Sequence, residues 1–350
     1  EEARDNGYHL FKYIRKEHPE VNVYYAINKK SCDFDKVKKY DNIIQYGSLK
    51  HWIYYLAAAK NISTQKAGNP NAPLFYILQV SGILKNKRIF LQHGITKDDA
   101  KWLYYKDTKF RLFICGAKRE YEYVKEKFGY PKENLKYLGF TRFDELHNIK
   151  TNKKQILLMP TWRNWLARET NILNNEKENF TDTLYFKTYN SLINNEQLIN
   201  YLEEKNIIMY FYPHRNMQKF ADCFSTKSNS IKILIKNDID IQKLLKESSL
   251  MITDYSSVYF DFAYMKKPLI YYQFDYEEYR TKQYQEGYFN YEKDGFGPIS
   301  KNELEVIENI KVYIENNYNI EKKYLSRIND FFELNDKENC KRTFEEIKKV

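Results

Sequence analysis

One segment of the chain constrains its fold more than any other, because its sequence predicts a complete strand–helix–strand unit. The first hydrophobic strand is predicted over Leu250–Thr253, the helix over Val258–Met265 and the second hydrophobic strand over Leu269–Tyr272. Two strands joined by a helix that crosses the sheet run parallel. The segment therefore predicts a parallel α/β sheet with helices packed on it.

The turn inside this unit has the composition of an anion-binding site. Asp254 ends the first strand, and Ser256 and Ser257 follow it directly before the helix. The first turn of a helix has unpaired backbone N–H groups and a partial positive charge, and serine hydroxyls add further donors. We interpret the turn as a phosphate-binding site. An ordinary serine N-cap would explain the same residues, and both interpretations stay open at this point.

Strands and helices alternate through most of the chain, which predicts doubly wound sheets. Early strands are expected at Val21–Ile27 and Lys87–Gln92, and a polar insertion at Asn171–Asn179. A chain of 350 residues is long enough for two such domains. We expect an N-terminal α/β domain over residues 1–150 and a second over 151–325. Residues 326–350 are expected to form a terminal helix that could cross back to the first domain.

Composition excludes several classes of protein. Hydrophobic residues make up 43% of the chain, which excludes a disordered protein. The net charge of +10 suits acidic substrates, an anionic membrane surface or nucleic acid. Scattered lysines and the lack of a nucleic-acid-binding signature favour a solvated surface, so no nucleic-acid partner is expected. The four cysteines match no metal spacing and indicate reduced thiols of a cytosolic protein.

Reactive side chains also follow three other predicted strands, where the carboxyl ends of parallel strands meet at one crevice. A histidine can act as general base or phosphate donor, and an arginine offers a planar fork to phosphate oxygens. Structural explanations remain open: a hydrogen-bonded strand-end histidine, a surface salt bridge, and helix capping by Asp254. The three motifs are His93-Gly94, Thr161-Trp162-Arg163 and His214-Arg215.

Motifs that would indicate a cofactor are missing from the sequence. There is no glycine-rich phosphate loop of the Walker type and no GxGxxG after a strand. Asp238 and Asp240 have the spacing of a metal pair but stand at a helix entry. We therefore expect that helix dipoles, hydroxyls, histidines and arginines hold the phosphate, with no metal and no cofactor.

Four motifs together resemble the CDP-glycerol glycerophosphotransferase family, the polymerases of teichoic acid and capsule. They are QHG at 92–94, MPTWR at 159–163, YPHR at 212–215 and ITDYSSVYFDFAYMKKPLIYY at 252–272. The resemblance implies a GT-B fold, with two Rossmann-type domains facing across a cleft, and a cytoplasmic location on the inner face of the bacterial plasma membrane. The opening ARDNGY resembles the family's early loop, so we expect a first strand, and further domains of a longer polymerase, to be missing.

The resemblance also implies roles for individual residues. His93 is similar to the family's catalytic base, and His214 and Asp254 complete the catalytic set. Asp336 and Arg342 resemble a segment that closes on the pyrophosphate, although Lys337, Glu338 and Asn339 partly replace the family's small residues there. The complete donor-binding set is expected to be Thr161, Arg163, Arg215, Ser256, Ser257, Gly297, Asp336 and Arg342.

The implied reaction moves glycerol phosphate, or another polyol phosphate, from a CDP-polyol donor to a hydroxyl of a growing teichoic-acid-like or capsule polymer, and releases CMP. The acceptor would be a polyol phosphate or a glycan, and the anionic inner membrane a further partner. Two alternatives stay open. One is a GT-B glycosyltransferase that uses a nucleotide-sugar, and the other is a non-catalytic binding module within a longer capsule protein.

Overall fold

A computed structural model describes residues 2–71, 74, 77, 78, 83–147, 149–168, 180–235 and 239–350. The chain divides into two compact units, which are described separately. Unit 1 comprises Glu1–Thr96, Ala100–His147 and Phe331–Val350, and unit 2 comprises Lys97–Asp99 and Asn148–Asp330. The predicted polar insertion at 171–179 lies outside the described residues.

The described strands of unit 1 are all parallel and form two sheets. Strands β1 and β2 pair with each other, and β3 to β6 form a four-stranded sheet in chain order. Every residue of the central strand β5 is buried, as expected for a parallel strand that is covered on both faces. The strands are β1 (Tyr25–Ile27), β2 (Ile43–Gln45), β3 (Lys60–Ser63), β4 (Lys87–Phe90), β5 (Leu112–Cys115) and β6 (Leu135–Tyr137).

Helices cover the sheets of unit 1, and the C-terminal helix is one of them. Phe344 and Ile347 of that helix pack in one hydrophobic cluster with Ile14, Ile89 and Ile114. Short 3-10 helices lie at Lys101–Leu103, Lys132–Asn134 and Thr141–Glu145. The α-helices are α1 (Asn6–Glu17), α2 (Phe34–Lys38), α3 (Leu49–Ala57), α4 (Tyr105–Thr108), α5 (Lys118–Lys127) and, at the end of the chain, α15 (Asn339–Lys349).

Unit 2 contains a six-stranded parallel sheet with the order β12-β11-β10-β7-β8-β9. The chain starts in the middle at β7, adds β8 and β9 on one side, and then returns to add β10, β11 and β12 on the other. The order therefore reverses between β7 and β10, which makes this the switch point where doubly wound folds bind ligands. The strands are β7 (Asn152–Leu158), β8 (Ile208–Phe211), β9 (Ile231–Ile233), β10 (Ser248–Thr253), β11 (Leu269–Tyr272) and β12 (Ile299–Ser300).

The core of unit 2 forms between this sheet and its helices. Ile156, Met209 and Ile252 of the central strands are fully buried with Tyr189 and Ile307 of the covering helices. A 3-10 helix spans Arg215–Cys223. The α-helices are α6 (Asn164–Arg168), α7 (Leu184–Leu192), α8 (Glu196–Lys205), α9 (Ile241–Glu247), α10 (Tyr259–Tyr264), α11 (Tyr276–Lys282), α12 (Tyr291–Asp294), α13 (Glu303–Glu315) and α14 (Lys322–Phe331).

The strand–helix–strand unit that the sequence predicted is present as β10, α10 and β11, with a helix shorter by one residue at each end. The predicted strand at Val21–Ile27 was too long, because only Tyr25–Ile27 pair with β2. Among the described residues, no helix combines the length and the apolar character needed to span a bilayer.

Candidate functional site at the switch point

Three predicted motifs meet at the carboxyl edge of the six-stranded sheet. Thr161 follows β7, His214 follows β8 and Asp254 follows β10, and these three strands are neighbours in the sheet. Direct contacts join two of the motifs, because the Thr161 N–H donates to Asp254 Oδ1 at 2.7 Å and the Thr253 hydroxyl donates to Met159 O at 2.8 Å. The candidate donor site therefore lies at the switch point.

Asp254 acts as a buried junction at this edge, with no exposed surface. Its Oδ1 also accepts from the Tyr255 N–H at 2.6 Å, and its Oδ2 accepts from the Tyr189 hydroxyl at 3.1 Å. Arg163 Nη1 lies 2.9 Å from Oδ2. Both carboxylate oxygens are thus occupied by protein groups, and they fix the turn that carries the serines.

Arg163 is equally buried, with no exposed surface. Its Nε and Nη2 donate to the two Asp275 oxygens at 2.7 and 3.0 Å, and Nη1 donates to Thr161 O at 3.2 Å. The guanidinium also lies over the rings of Tyr185 and Tyr255, at 5.2 and 5.1 Å from their centroids. Since Asp275 follows β11, this one side chain ties together the ends of β7, β10 and β11.

This arrangement favours a structural role for two of the predicted site residues. Arg163 was expected to contact the donor phosphate and Asp254 to be catalytic, yet both are sealed inside the protein and saturated by protein partners. Burial lowers the pKa of Arg163, but Asp254 and Asp275 outweigh burial and raise it well above its ordinary value. Burial raises the pKa of Asp254, against the opposing effect of Arg163. Both residues hold the site in shape.

His214 is only half-buried, and its ring is fixed by two contacts. Its Nδ1 accepts from the Asn216 N–H at 3.1 Å, and the ring stacks on Trp162 with the centroids 6.1 Å apart. Because Nδ1 is an acceptor, the proton of the neutral ring is on Nε2, which makes Nε2 a hydrogen-bond donor. Arg215 is exposed beside it. Among the described residues, Arg215 has no ion-pair partner.

Ser256 and Ser257 lie in the turn between β10 and α10. Val258 precedes the helix, and no side chain caps it. Within the described parts of the chain, neither serine hydroxyl forms a hydrogen bond with the protein. The ordinary N-cap explanation therefore does not apply, and both hydroxyls remain as donors at the switch point.

Gly297 does not belong to this group. It stands before β12, and a Cβ at this position would lie 1.8 Å from the carbonyl oxygen of Leu269, the first residue of β11. Gly297 therefore lies at the amino edge of the sheet, opposite His214 and Ser256. The glycine is needed for a close approach of two backbones, and its predicted contact with the donor stays a prediction.

His93 lies in unit 1, at the carboxyl edge of the four-stranded sheet, two residues beyond Leu91. Its ring is exposed, and Nδ1 lies 3.3 Å from Thr64 O. Because a carbonyl oxygen can only accept, Nδ1 carries the proton in this contact and Nε2 keeps its lone pair. The preceding residue, Gln92, is buried in a left-handed conformation with φ of 58°. His93 is thus presented on a strained turn with the tautomer that a base requires.

Asp336 and Arg342 also lie in unit 1, where Arg342 reaches the end of β6. Arg342 Nη1 lies 2.9 and 2.8 Å from the two Asp336 oxygens, and Nε donates to Leu138 O at 3.1 Å. Nη2 donates to Asn339 Oδ1 at 2.6 Å. The Arg342 ion pair holds the pKa of Asp336 below its ordinary value. The two residues form a partly exposed ion pair that organises the start of α15.

Sequence reasoning missed several polar groups that shape these edges. Asp275 follows a strand, as the identified motifs do, and this signal could have revealed it. A second ion cluster in unit 2 joins Lys97 to Asp98 and Asp98 to Arg280, the latter pair at 2.6 Å. Burial lowers the pKa of Lys97. Lys97 and Asp98 are adjacent in the sequence, but Arg280 lies 182 residues from Asp98, and no spacing in the sequence links it to them.

The described ranges contain no group of three or more His, Cys, Asp or Glu residues arranged to hold a metal ion. The candidate donor groups along this edge are hydrogen-bond donors and one exposed cation, Arg215. Such a set suits a phosphate or diphosphate, whose oxygens only accept.

Parallel sheets and this switch-point site define an α/β protein of the GT-B-like class, as predicted. The fold matches a structure of the wall teichoic acid polymerase TagF with a TM-score of 0.69 and 18% identity, covering all of this chain and 88% of that one. It also matches S. aureus MnaA, solved with UDP, with a TM-score of 0.59 and 11% identity, covering 99% and 94%.

The chain belongs to the CDP-glycerol:poly(glycerophosphate) glycerophosphotransferase family, which it matches over residues 1–349. It is 36% identical to the minor teichoic acid biosynthesis protein GgaB of Bacillus subtilis over 353 residues, which cover 99% of this chain. The match spans 38% of the length of GgaB. The family resemblance found in the four sequence motifs is thereby confirmed.

Proposed function

We propose that this chain transfers glycerol phosphate, or a closely related polyol phosphate, from a CDP-polyol to a hydroxyl of a growing teichoic-acid-like polymer. The observation that carries the proposal is that His214, Ser256 and Ser257 lie at the same carboxyl edge of the unit 2 sheet, beside the switch point, in a chain that belongs to this family. A set of neutral donors next to the exposed Arg215 suits a nucleotide diphosphate.

On the donor side, His214 Nε2 and the two serine hydroxyls donate to oxygens of the diphosphate, and Arg215 supplies the positive charge. Arg163 takes no direct part, because Asp254 and Asp275 occupy its guanidinium. It connects the segments that follow β7, β10 and β11, so the donors are already oriented when the substrate binds. Preorganised donors of this kind stabilise charge that develops during reaction.

On the acceptor side, His93 Nε2 takes the proton of the attacking hydroxyl. A new bond forms between the acceptor oxygen and the β-phosphorus, and the bond from that phosphorus to the bridging oxygen breaks. CMP departs with the bridging oxygen and the electron pair. The catalytic contribution is positioning and charge stabilisation, as in phosphoryl transfer generally. No metal or cofactor is required in this scheme.

The nucleotide that is released tests the proposal. The chain is incubated with an oligo(glycerol phosphate) acceptor and, separately, with CDP-glycerol, CDP-ribitol or a UDP-sugar, and the products are separated by chromatography. Release of CMP from a CDP-polyol with growth of the acceptor supports the proposal. Release of UDP from a UDP-sugar would instead indicate a glycosyltransferase. Binding of CDP-glycerol without any release would indicate a non-catalytic module.

We further propose that the chain acts at an anionic membrane surface, where α3 is the contact element. Leu49, Ile53 and Leu56 are 76%, 54% and 48% exposed and share one face of this helix, while His51 and Tyr55 are buried on the other. An exposed apolar face on a chain of net charge +10 suits the interface of an anionic bilayer.

Vesicle flotation tests this contact. Wild-type protein should float with phosphatidylglycerol vesicles at low salt and less with phosphatidylcholine vesicles. Leu49→Gln with Ile53→Gln should abolish flotation. The matched control is Leu304→Gln with Val312→Gln, which replaces two equally exposed apolar residues of α13. Equal flotation of the two double variants would contradict the proposal.

A further inference from the structure

Glu120 is a fully buried carboxylate that has no role in the proposed chemistry. It lies in the first turn of α5, directly after the end of β5. Its Oε2 accepts from the Gly116 N–H at 2.7 Å, so it partly serves the start of its own helix. The bond to Gly116 is local to the start of the helix. The other bonds of the carboxylate reach residues 92 and 96, which precede β5 in the chain.

The other oxygen, Oε1, holds the turn that presents His93. It accepts from the Thr96 N–H at 2.6 Å and from the Gln92 side-chain amide at 3.1 Å. Gln92 and Thr96 stand on either side of His93, and the Thr96 hydroxyl donates to Gln92 Oε1 at 2.9 Å. One oxygen of Glu120 therefore accepts hydrogen bonds from residues on both sides of His93.

Further bonds fix Gln92 in its left-handed conformation. Its side-chain amide donates to Ile114 O at 2.7 Å, and its own carbonyl accepts from Asn6 Nδ2 at 2.8 Å. A non-glycine residue keeps a positive φ only when its surroundings over-determine it. Glu120 is the one ionisable group among these described partners, and it connects the turn to the residues that follow strand β5.

We propose that Glu120 is a positioning residue, which fixes the direction in which His93 offers Nε2 to the acceptor hydroxyl. The inference rests on the proposed function for the role of His93, but the placement of the His93 ring can be measured without any turnover. Glu120 itself touches no substrate. Its loss should disturb the chemical step and leave the binding of the donor, in unit 2, unchanged.

The test combines Glu120→Gln with Glu122→Gln, which removes an exposed carboxylate from the same helix. The side-chain signals of the six histidines are recorded by NMR after 13C labelling, and the His93 signal is assigned with His93→Gln. Glu120→Gln should shift the His93 signal, and Glu122→Gln should not. For CMP release from CDP-glycerol, Glu120→Gln should lower kcat by about 10- to 100-fold with little change in KM.

An unchanged His93 signal with unchanged kcat in folded Glu120→Gln would overturn the inference, and so would a rise in KM alone. If the wild type releases no CMP, the proposed function fails, while the NMR comparison still decides whether Glu120 positions the ring. Should Glu120→Gln not fold, Glu120→Asp decides instead, because the shorter side chain keeps the carboxylate but draws it back from the Thr96 N–H and the Gln92 amide. It should shift the His93 signal in the same way.

Discussion

Arg163 and Asp275 form a buried bidentate ion pair, with Nε and Nη2 at 2.7 and 3.0 Å from the two carboxylate oxygens. The pair joins the end of the first strand of unit 2 to the end of a strand on the far side of the switch point. Arg163 therefore has a structural role, whereas Arg215 is left to meet the donor. Substitution of Arg163 should therefore lower the stability of the fold, whereas substitution of Arg215 should weaken donor binding.

Arg163→Ala should lower the free energy of unfolding by about 3–5 kcal/mol, because it leaves Asp254 and Asp275 buried without a cation. Arg215→Ala should change stability by less than about 0.5 kcal/mol, since its side chain is exposed, and should weaken CDP-glycerol binding instead. Urea unfolding and calorimetric titration measure the two effects. If the Arg163→Ala protein is as stable as the wild type and has lost donor binding, Arg163 contacts the donor phosphate and the structural role is contradicted.

The comparison of these arginines shows what the sequence could reveal. Both follow a hydrophobic strand directly, and the parallel arrangement of the strands made their common edge predictable. Which of them is buried depends on Asp275, which lies 112 residues from Arg163 and approaches it only through the order of the strands. The position of Gly297 could not be predicted for a related reason, because the sequence does not say at which edge of the sheet a loop lies.

Other parts of the site could not be predicted because no local pattern encodes them. Glu120 stands in a helix rich in charged residues and looks like a solvated side chain until β4 and β5 are placed next to each other. Its partners, Gln92 and Thr96, are 28 and 24 residues away. The strand–turn–helix unit around Ser256 was predictable because all of its information is local.

Removal of a serine hydroxyl should affect catalysis without affecting folding. Ser256→Ala and Ser257→Ala should each lower kcat by about 100-fold, the scale for losing one preorganised donor. Their thermal unfolding should match the wild type, because neither hydroxyl has a hydrogen-bond partner among the described residues. Ser228→Ala, at the amino edge of the same sheet, is the control. Normal turnover in both site variants would exclude the turn from the donor site.

Glu120 should make stability depend on pH. Burial raises its pKa from 4.5 to about 7. A carboxyl group with a raised pKa in the folded state contributes stability that is complete below 4.5 and is lost as the pH rises through about 7. Relative to Glu120→Gln, the wild type should therefore lose roughly 3 kcal/mol over this interval. Urea unfolding at a series of pH values measures the difference, and Glu122→Gln is the matched control. A pH-independent difference between wild type and Glu120→Gln would contradict this account of Glu120.

Chelators should leave activity intact. The groups assigned to the diphosphate are His214, Arg215 and two serines, and the nearest carboxylate, Asp254, already has both oxygens occupied by protein donors. The rate of CMP release from CDP-glycerol should thus be the same before and after treatment with EDTA. Loss of activity on chelation, restored by a divalent cation, would show that a metal holds the diphosphate.

The claim on which the account depends is that the donor diphosphate binds at the carboxyl edge of β7, β8 and β10. A crystal structure of the protein soaked with CDP-glycerol measures this directly. We predict that the diphosphate lies within hydrogen-bonding distance of His214 Nε2 and the hydroxyls of Ser256 and Ser257, with Arg163 still paired to Asp275. A diphosphate bound at the amino edge beside Gly297, or paired with Arg163 in place of Asp275, would contradict the account.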